Sequence, residues 1–332
     1  MKVLFVNEAD VYRLLPMDVC VGLMRQALTA LARGDAVLPL RTMMWLPDRS
    51  GLLGMMPAYL GDPQSFGFKV VSVMPRNHGT PFDSHQGVVM LFGISHGEPL
   101  AILDATAITA IRTAAASAAA TDVLASPEAG DLALLGSGVQ ARTHLKAMRI
   151  VRPLRRVRIW SRTRANAERF AREEATAAGP EIEVSSTVDE AVRVADLICT
   201  TTSAREPILA GASVAPGAHV NAVGACFAAW RELDSALVRR ARLYTDCRES
   251  CLNEAGDFLL AKSDGAVDDA HLLGELGEVL IGRVPGRVSP DDVTIYESLG
   301  VAVEDLAAAH EIHRRALAGG GGQWLEWSVG AE

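Results

Sequence analysis

The chain has 332 residues, of which 49% are hydrophobic and 22% charged, with a net charge of −8. That length suits two domains and that apolar content suits a large core, which excludes a disordered chain. The arginines are scattered rather than striped and no apolar run reaches the length of a membrane span, so neither nucleic acid nor a membrane is an expected partner. The five cysteines, Cys20, Cys199, Cys226, Cys247 and Cys251, are odd in number and dispersed. Reduced thiols in a cytoplasm fit that pattern. Cys247 with Cys251, and His310 with His313, are spaced for one helix face. Neither pair has a third ligand in the sequence, so no metal is expected.

Residues 1–8 read as a short strand, not a secretory signal. Over 16–33, Val19, Leu23, Ala27, Leu28 and Leu31 recur at helical spacing, and Gly34 ends the helix. Short runs broken by Gly and Pro predict strands at 40–45, 52–56, 66–73, 87–92 and 100–103, a mostly antiparallel sheet. An alanine-rich helix is predicted over 104–125, closed by Pro127.

From residue 131 the pattern becomes strand, glycine turn, helix, strand. Leu132-Ala133-Leu134-Leu135 leads into Gly136-Ser137-Gly138-Val139-Gln140-Ala141, the G-x-G-x-x-A form of a dinucleotide turn. A helix follows to about 150, then a strand at 157–160. Gly136 permits the tight turn, Gly138 lets a pyrophosphate approach the backbone, and Ala141 lets the helix pack closely. Further on, a helix is predicted at 163–178 with Phe170 and Ala171 inward. Strands at 182–185, 196–200, 219–223, 242–245 and 294–298 follow, with a short helix at 188–194. A helix at 301–317 returns to the N-terminal part, 319–322 is a flexible break, and the last ten residues are a loosely held tail. The expected fold is α/β. A Rossmann doubly wound parallel sheet spans 126–302, and a mostly antiparallel α+β domain combines 1–125 with 303–332.

The second strand of the dinucleotide unit selects the coenzyme. NAD sites usually place an acid there for the ribose 2′-OH. This chain has Ser161-Arg162-Thr163-Arg164 instead. Guanidinium groups grip phosphates, so NADP(H) is expected in preference to NAD(H), which remains possible.

Three cations lie in apolar or small-residue company: Arg41, Lys69 and Arg112. Such charges must be answered by an acid of the protein or an anion of the substrate. Three together, beside a nicotinamide domain, favour a clamp for a substrate carboxylate. Thr113 follows Arg112 and lies within reach of the coenzyme in this reading.

The chain resembles the ornithine cyclodeaminase/mu-crystallin family over about 40–317. The resemblance rests on Arg41-Thr42, Met55-Met56-Pro57-Ala58-Tyr59, Ser84-His85-Gln86, Ile108-Thr109-Ala110-Ile111-Arg112-Thr113-Ala114-Ala115, the glycine turn, Asn221-Ala222-Val223-Gly224, Leu276-Gly277-Glu278-Val279 and Ser298-Leu299-Gly300-Val301-Ala302-Val303-Glu304-Asp305. Arg158-Ile159-Trp160-Ser161-Arg162-Thr163 and Trp230-Arg231-Glu232-Leu233-Asp234 place it nearer the mu-crystallin, or ketimine reductase, branch. The resemblance implies a homodimer built on the N-terminal sheet domain and a Rossmann domain for NAD or NADP. It implies that Arg41, Lys69 and Arg112 hold the substrate carboxylate. Ser84, His85, Gln86, Thr113, Gly136, Gly138, Val139, Gln140, Ser161, Arg162, Thr163, Thr202, Val223, Ser298, Leu299 and Gly300 match positions that border the coenzyme.

The chain departs from that pattern twice. Cyclodeaminases carry an aspartate just after Asn-Ala-Val-Gly and a glutamate before Met-Pro; here Cys226 and Gly54 stand there. Without those acids a diamine substrate lacks its counter-charges. Cys226 then reads as a small residue of the substrate pocket. The expected activity is reduction of the C=N bond of a small, cyclic α-imino acid, with Arg41 and Arg112 on the carboxylate and Lys69 as proton donor. The alternatives are an amino-acid dehydrogenase or ammonia-releasing cyclodeaminase on the same scaffold, and a non-catalytic protein that binds NADPH and a ligand.

Overall fold

The computed structural model describes residues 1–77, 80–176 and 179–327. The chain begins β1 (Lys2–Val6), α1 (Glu8–Leu14), α2 (Met17–Arg33), β2 (Ala36–Val37), β3 (Thr42–Trp45), β4 (Leu52–Gly61), β5 (Gln64–Val73), β6 (His85–Phe92), β7 (Pro99–Asp104) and α3 (Ala105–Leu124). The dinucleotide unit follows as β8 (Asp131–Leu135), α4 (Val139–Val151) and β9 (Arg156–Trp160). Next come α5 (Arg164–Glu174), β10 (Ile182–Val184), α6 (Val188–Val192), β11 (Leu197–Thr200) and β12 (His219–Ala222). The remainder is α7 (Ser235–Arg240), β13 (Arg242–Thr245), α8 (Arg248–Glu254), α9 (Gly256–Ser263), β14 (Leu272–Glu275), α10 (Leu276–Leu280), β15 (Thr294–Glu297), α11 (Ala302–Gly319) and β16 (Gln323–Glu326).

The chain divides into two compact units, Met1–Arg112 with Val301–Glu332, and Thr113–Gly300. The first boundary falls inside α3, not after residue 125 as the composition suggested. The second falls after 300 rather than 302. The helix is continuous from Ala105 to Leu124, so no break in composition marks the first boundary.

In the first unit the sheet order is β16-β1-β7-β6-β5-β4-β2, with β3 also on β4. The β4–β7 run is antiparallel, while β1 joins β7 in parallel. Burial alternates along β4 and β5, as a sheet with one covered face requires. The helix α11 covers β4, β5 and β6 and also packs on α2. The helix α2 ends where Gly34 turns left-handed at φ +81°. The C-terminal tail is a correction: residues 323–326 form β16 and pair antiparallel with β1. Residues 328–332 of the expected tail lie outside the described residues.

In the second unit the order is β10-β9-β8-β11-β12-β15-β13-β14, with every pairing parallel. Strand order reverses between β8 and β11, the place where such sheets bind ligands outside their carboxyl ends. Leu132 to Leu135 pair with β9 on one side and β11 on the other, and all four are buried. That is why this run is continuously apolar rather than alternating. The helix α5 is shorter than predicted, and Ala167 is buried beside Phe170 while Ala171 is only partly covered. Residues 177 and 178 of that predicted helix lie outside the described residues. Strand β14 and helices α8 to α10 were not foreseen.

Candidate active site

The carboxyl edge of the parallel sheet gathers most of the residues matched to the coenzyme. Gly136 adopts φ +118°, and its N–H donates to Trp160 O at 2.9 Å. A Cβ there would stand 2.7 Å from Thr201 O, so the turn admits only glycine. Gly138 precedes α4 in extended backbone with no side-chain cap. A Cβ on Gly138 would meet nothing within 4 Å. A helix N-terminus with open space in front of it and unanswered N–H groups fits a phosphate. Val139 is half exposed at that terminus, and Gln140 O accepts from His144 Nδ1 at 2.7 Å. The structure therefore fits a dinucleotide on its backbone.

At the end of β9, Ser137 Oγ donates to Ser161 Oγ at 2.9 Å, which ties the glycine turn to the neighbouring strand end. Arg162 and Thr163 are exposed. Arg164 is otherwise committed: its Nε donates to Glu168 at 2.9 Å and its Nη1 to Ser186 at 3.2 Å. Of the two arginines, Arg162 makes no ion pair among the described residues. After β11, Thr202 is held by Glu232. After β12, Val223 N donates to Thr200 O at 3.0 Å. Cys226 Sγ lies 3.2 Å from Val223 O and 4.0 Å from Ser298 O, so its thiol joins the β12 and β15 loops. Leu299 and Gly300 donate their N–H groups to Asp246 at 2.8 and 2.6 Å. Thr113 is buried in α3.

The first unit holds the cations. Lys69 on β5 is 3% exposed and Arg112 on α3 is 4% exposed. Of the two kinds of partner that such charges require, the protein's own acids are present beside both. Lys69 Nζ lies 2.9 and 3.1 Å from the two carboxylate oxygens of Asp305 and 3.3 Å from Thr109 Oγ1. Arg112 donates from Nη1 to Glu304 at 2.8 Å and from Nε to Asp305 at 3.1 Å. Both acids sit in the first turn of α11. Arg41, just before β3, is partly buried. Burial pushes the Lys69 pKa down to about 8 from its ordinary 10.5. The charge of Asp305 opposes the fall, and those of Arg112 and Arg41 add to it. Ser84, His85 and Gln86 open β6 in this unit. Ser84 Oγ is 3.0 Å from His85 Nδ1, and Gln86 Nε2 donates to Asp83 O at 3.1 Å. Packing around the His85 ring, and then the Lys69 charge, lower its pKa.

Sequence reasoning missed a set of buried acids under the sheet edge of the second unit: Glu232, Asp246, Asp257 and Glu297. Burial first, and then one another's charge, push Asp257 and Glu297 above the usual carboxyl range. Acids are seldom fully buried, so nothing in their spacing announces it. Among the described residues no group of three or more His, Cys, Asp or Glu is placed to hold a metal ion.

The family model described as ornithine cyclodeaminase/mu-crystallin matches residues 1–320. The chain belongs to the ornithine cyclodeaminase/mu-crystallin family. It is 44% identical over 280 residues to the ketimine reductase mu-crystallin of Mus musculus, spanning 84% of this chain and 85% of that protein. It is similar to the Delta(1)-pyrroline-2-carboxylate reductase of Thermococcus litoralis, solved in complex with NADH and L-proline. That likeness has a TM-score of 0.94 and 34% identity over 97% of this chain and 99% of the other. An archaeal alanine dehydrogenase dimer with bound NAD matches with a TM-score of 0.93 and 29% identity, over 99% of this chain and 100% of the other.

Within the family, the two departures have structural form here. Gly54 is buried in β4 opposite Val71, and a Cβ there would meet Val71 Cγ1 at 3.5 Å, ordinary contact. Nothing steric forbids a longer side chain's first carbon at 54.

Proposed function

We infer that the chain is an NAD(P)H-dependent oxidoreductase that reduces the C=N bond of a small α-imino acid to the amino acid. The observation that carries the reading is Lys69: a buried ammonium with its pKa lowered to about 8 is a proton source matched to neutral pH. Imine reduction needs one hydride at carbon and one proton at nitrogen. The coenzyme, when bound, supplies the hydride. Lys69 supplies the proton or keeps the imine nitrogen protonated. Arg41 and Arg112 orient the substrate carboxylate. Glu304 and Asp305 hold the Arg112 guanidinium and Asp305 holds the Lys69 ammonium, as supporting carboxylates commonly do around a working site.

The mouse relative is named a ketimine reductase, and the Thermococcus litoralis reductase's complex holds L-proline, a cyclic amino acid. Both favour a cyclic ketimine such as a pyrroline or piperideine carboxylate. The absent acids at 54 and 226 speak against a diamine substrate. A panel of pyrroline-2-carboxylate, piperideine-2-carboxylate, pyruvate plus ammonia, and ornithine tests this. NADPH oxidation should match imine consumed, with ammonia unchanged. Ammonia release from ornithine would restore the cyclodeaminase reading, and tight NADPH binding with no turnover would favour the non-catalytic one.

NADP(H) is the proposed coenzyme because exposed Arg162 follows β9 where an NAD site would have an acid. One charge-assisted bond contributes about 1.5–3 kcal/mol. Arg162→Ala should therefore weaken NADPH binding roughly tenfold and leave NADH unchanged. Fluorescence titration reads both; tighter NADH than NADPH in the unsubstituted protein would reverse the assignment.

The protein is proposed to work as a homodimer. The uncovered face of the first unit's sheet presents Met55, Phe66 and Val88, an apolar surface without a covering helix among the described residues. The archaeal structure similar to it is a dimer. Light scattering should give twice the 35.3 kDa chain mass; a monomer would remove the proposal.

A further inference from the structure

We infer that Glu232 is a positioning residue for the coenzyme, fastening together the loops that follow β11 and β12; the inference rests on the coenzyme reading above. Its carboxylate is fully buried. One oxygen accepts both the backbone N–H and the hydroxyl of Thr202, each at 2.6 Å. The other accepts the N–H of Gly224 at 2.7 Å. Thr202 follows β11 and Gly224 follows β12, and those strands are parallel neighbours. A single side chain therefore sets the distance between two adjacent loops on the edge where α4 opens.

The hub is itself held. Asp257 accepts the N–H groups of Glu232 and Leu233, both at 2.8 Å. The backbone oxygen of Glu232 accepts from Ile208 and Leu209 at 2.8 and 2.9 Å. The fit is close. A Cβ on Gly224 would stand 2.6 Å from the Glu232 carboxyl carbon and would also strike Thr202 O.

Stability alone does not explain an acid here. No cation pairs with Glu232 among the described residues, and a buried anion without one is unfavourable unless hydrogen bonds replace its water. Burial raises the pKa of Glu232 and hydrogen bonds, those from Thr202 first, oppose the rise, while its charge in turn raises those of Asp257 and Glu297. Glutamine would fill the same space with less repulsion. Glutamine accepts at one oxygen only, and its amide N–H₂ would face the donor of Gly224 or those of Thr202. Three donors converging on two oxygens demand a carboxylate. What that carboxylate secures is the spacing of the two loops.

The test uses the full chain with Glu232→Gln and Thr202→Val, reading the Kd for NADPH and NADH by fluorescence and the Tm of the coenzyme-free protein. Glu232→Gln should weaken coenzyme binding roughly tenfold or more, while the Tm shifts little, because the lost hydrogen bonds are offset by the relief of repulsion on Asp257 and Glu297. Thr202→Val, which removes one of the three bonds, should weaken binding by a smaller factor. A merely structural role would lower the Tm together with binding. Unchanged Kd in Glu232→Gln overturns the inference and leaves the coenzyme reading standing. If that variant does not fold, Thr202→Val decides, and an unchanged Kd there overturns it. If the unsubstituted protein binds neither coenzyme, the coenzyme reading falls and takes this inference with it.

Discussion

Replacing Lys69 by methionine is expected to lower kcat for imine reduction by roughly 10²–10⁴-fold, the range that a positioned proton donor supplies. Methionine keeps the apolar stem and removes the ammonium that lies 2.9 Å from Asp305. The pH profile supplies a second signature. The acid must be protonated to act, so kcat/KM should fall as pH rises through about 8, and that limb should vanish in the variant. Stability responds in the opposite sense. The pKa of Lys69 is about 8 folded and 10.5 when free, so between those values only the unfolded chain keeps the proton. Stability from this group therefore rises with pH across that window and is flat below it. A raised KM with kcat unchanged would reduce Lys69 to a carboxylate binder.

The second large effect is expected at Asp305. Its carboxylate answers Lys69 at 2.9 Å and Arg112 at 3.1 Å, with all three side chains buried. Asp305→Asn keeps the shape and removes the charge, leaving two buried cations with less to balance them. Breaking a buried pair in this way costs about 3–5 kcal/mol. Calorimetry should show a lower Tm. The charge of Asp305 also holds the Lys69 pKa up, so the alkaline limb should move to lower pH in the variant. An unchanged Tm, or a limb that moves to higher pH, would contradict this role.

The first of these expectations was legible in the sequence and the second was not, and the difference has a physical source. The dinucleotide turn was legible because its signals are local. Gly136 must turn left-handed, Gly138 leaves open space before α4, and the strand that leads in is a continuous apolar run. The cations were legible too, because a charge inside an apolar run is conspicuous. Their partners were not. Asp305 lies 236 residues from Lys69 and 193 from Arg112. A helix over 301–317 was foreseen, but which way its first-turn acids faced depended on how it packs on β5. Glu232 and Asp257 were hidden for a related reason: a buried acid and an exposed one read alike. The strand β16 needs the edge of β1 to exist, and α8 to α10 are too short to display a helical period.

Transfer of deuterium from NADPH labelled at the nicotinamide C4 tests the central claim most directly. With piperideine-2-carboxylate as substrate, mass spectrometry and NMR should find one deuterium on the α-carbon of the product amino acid, in step with NADPH oxidised and with no ammonia released. An unlabelled product, or ammonia formed in proportion to turnover, would contradict imine reduction by this chain.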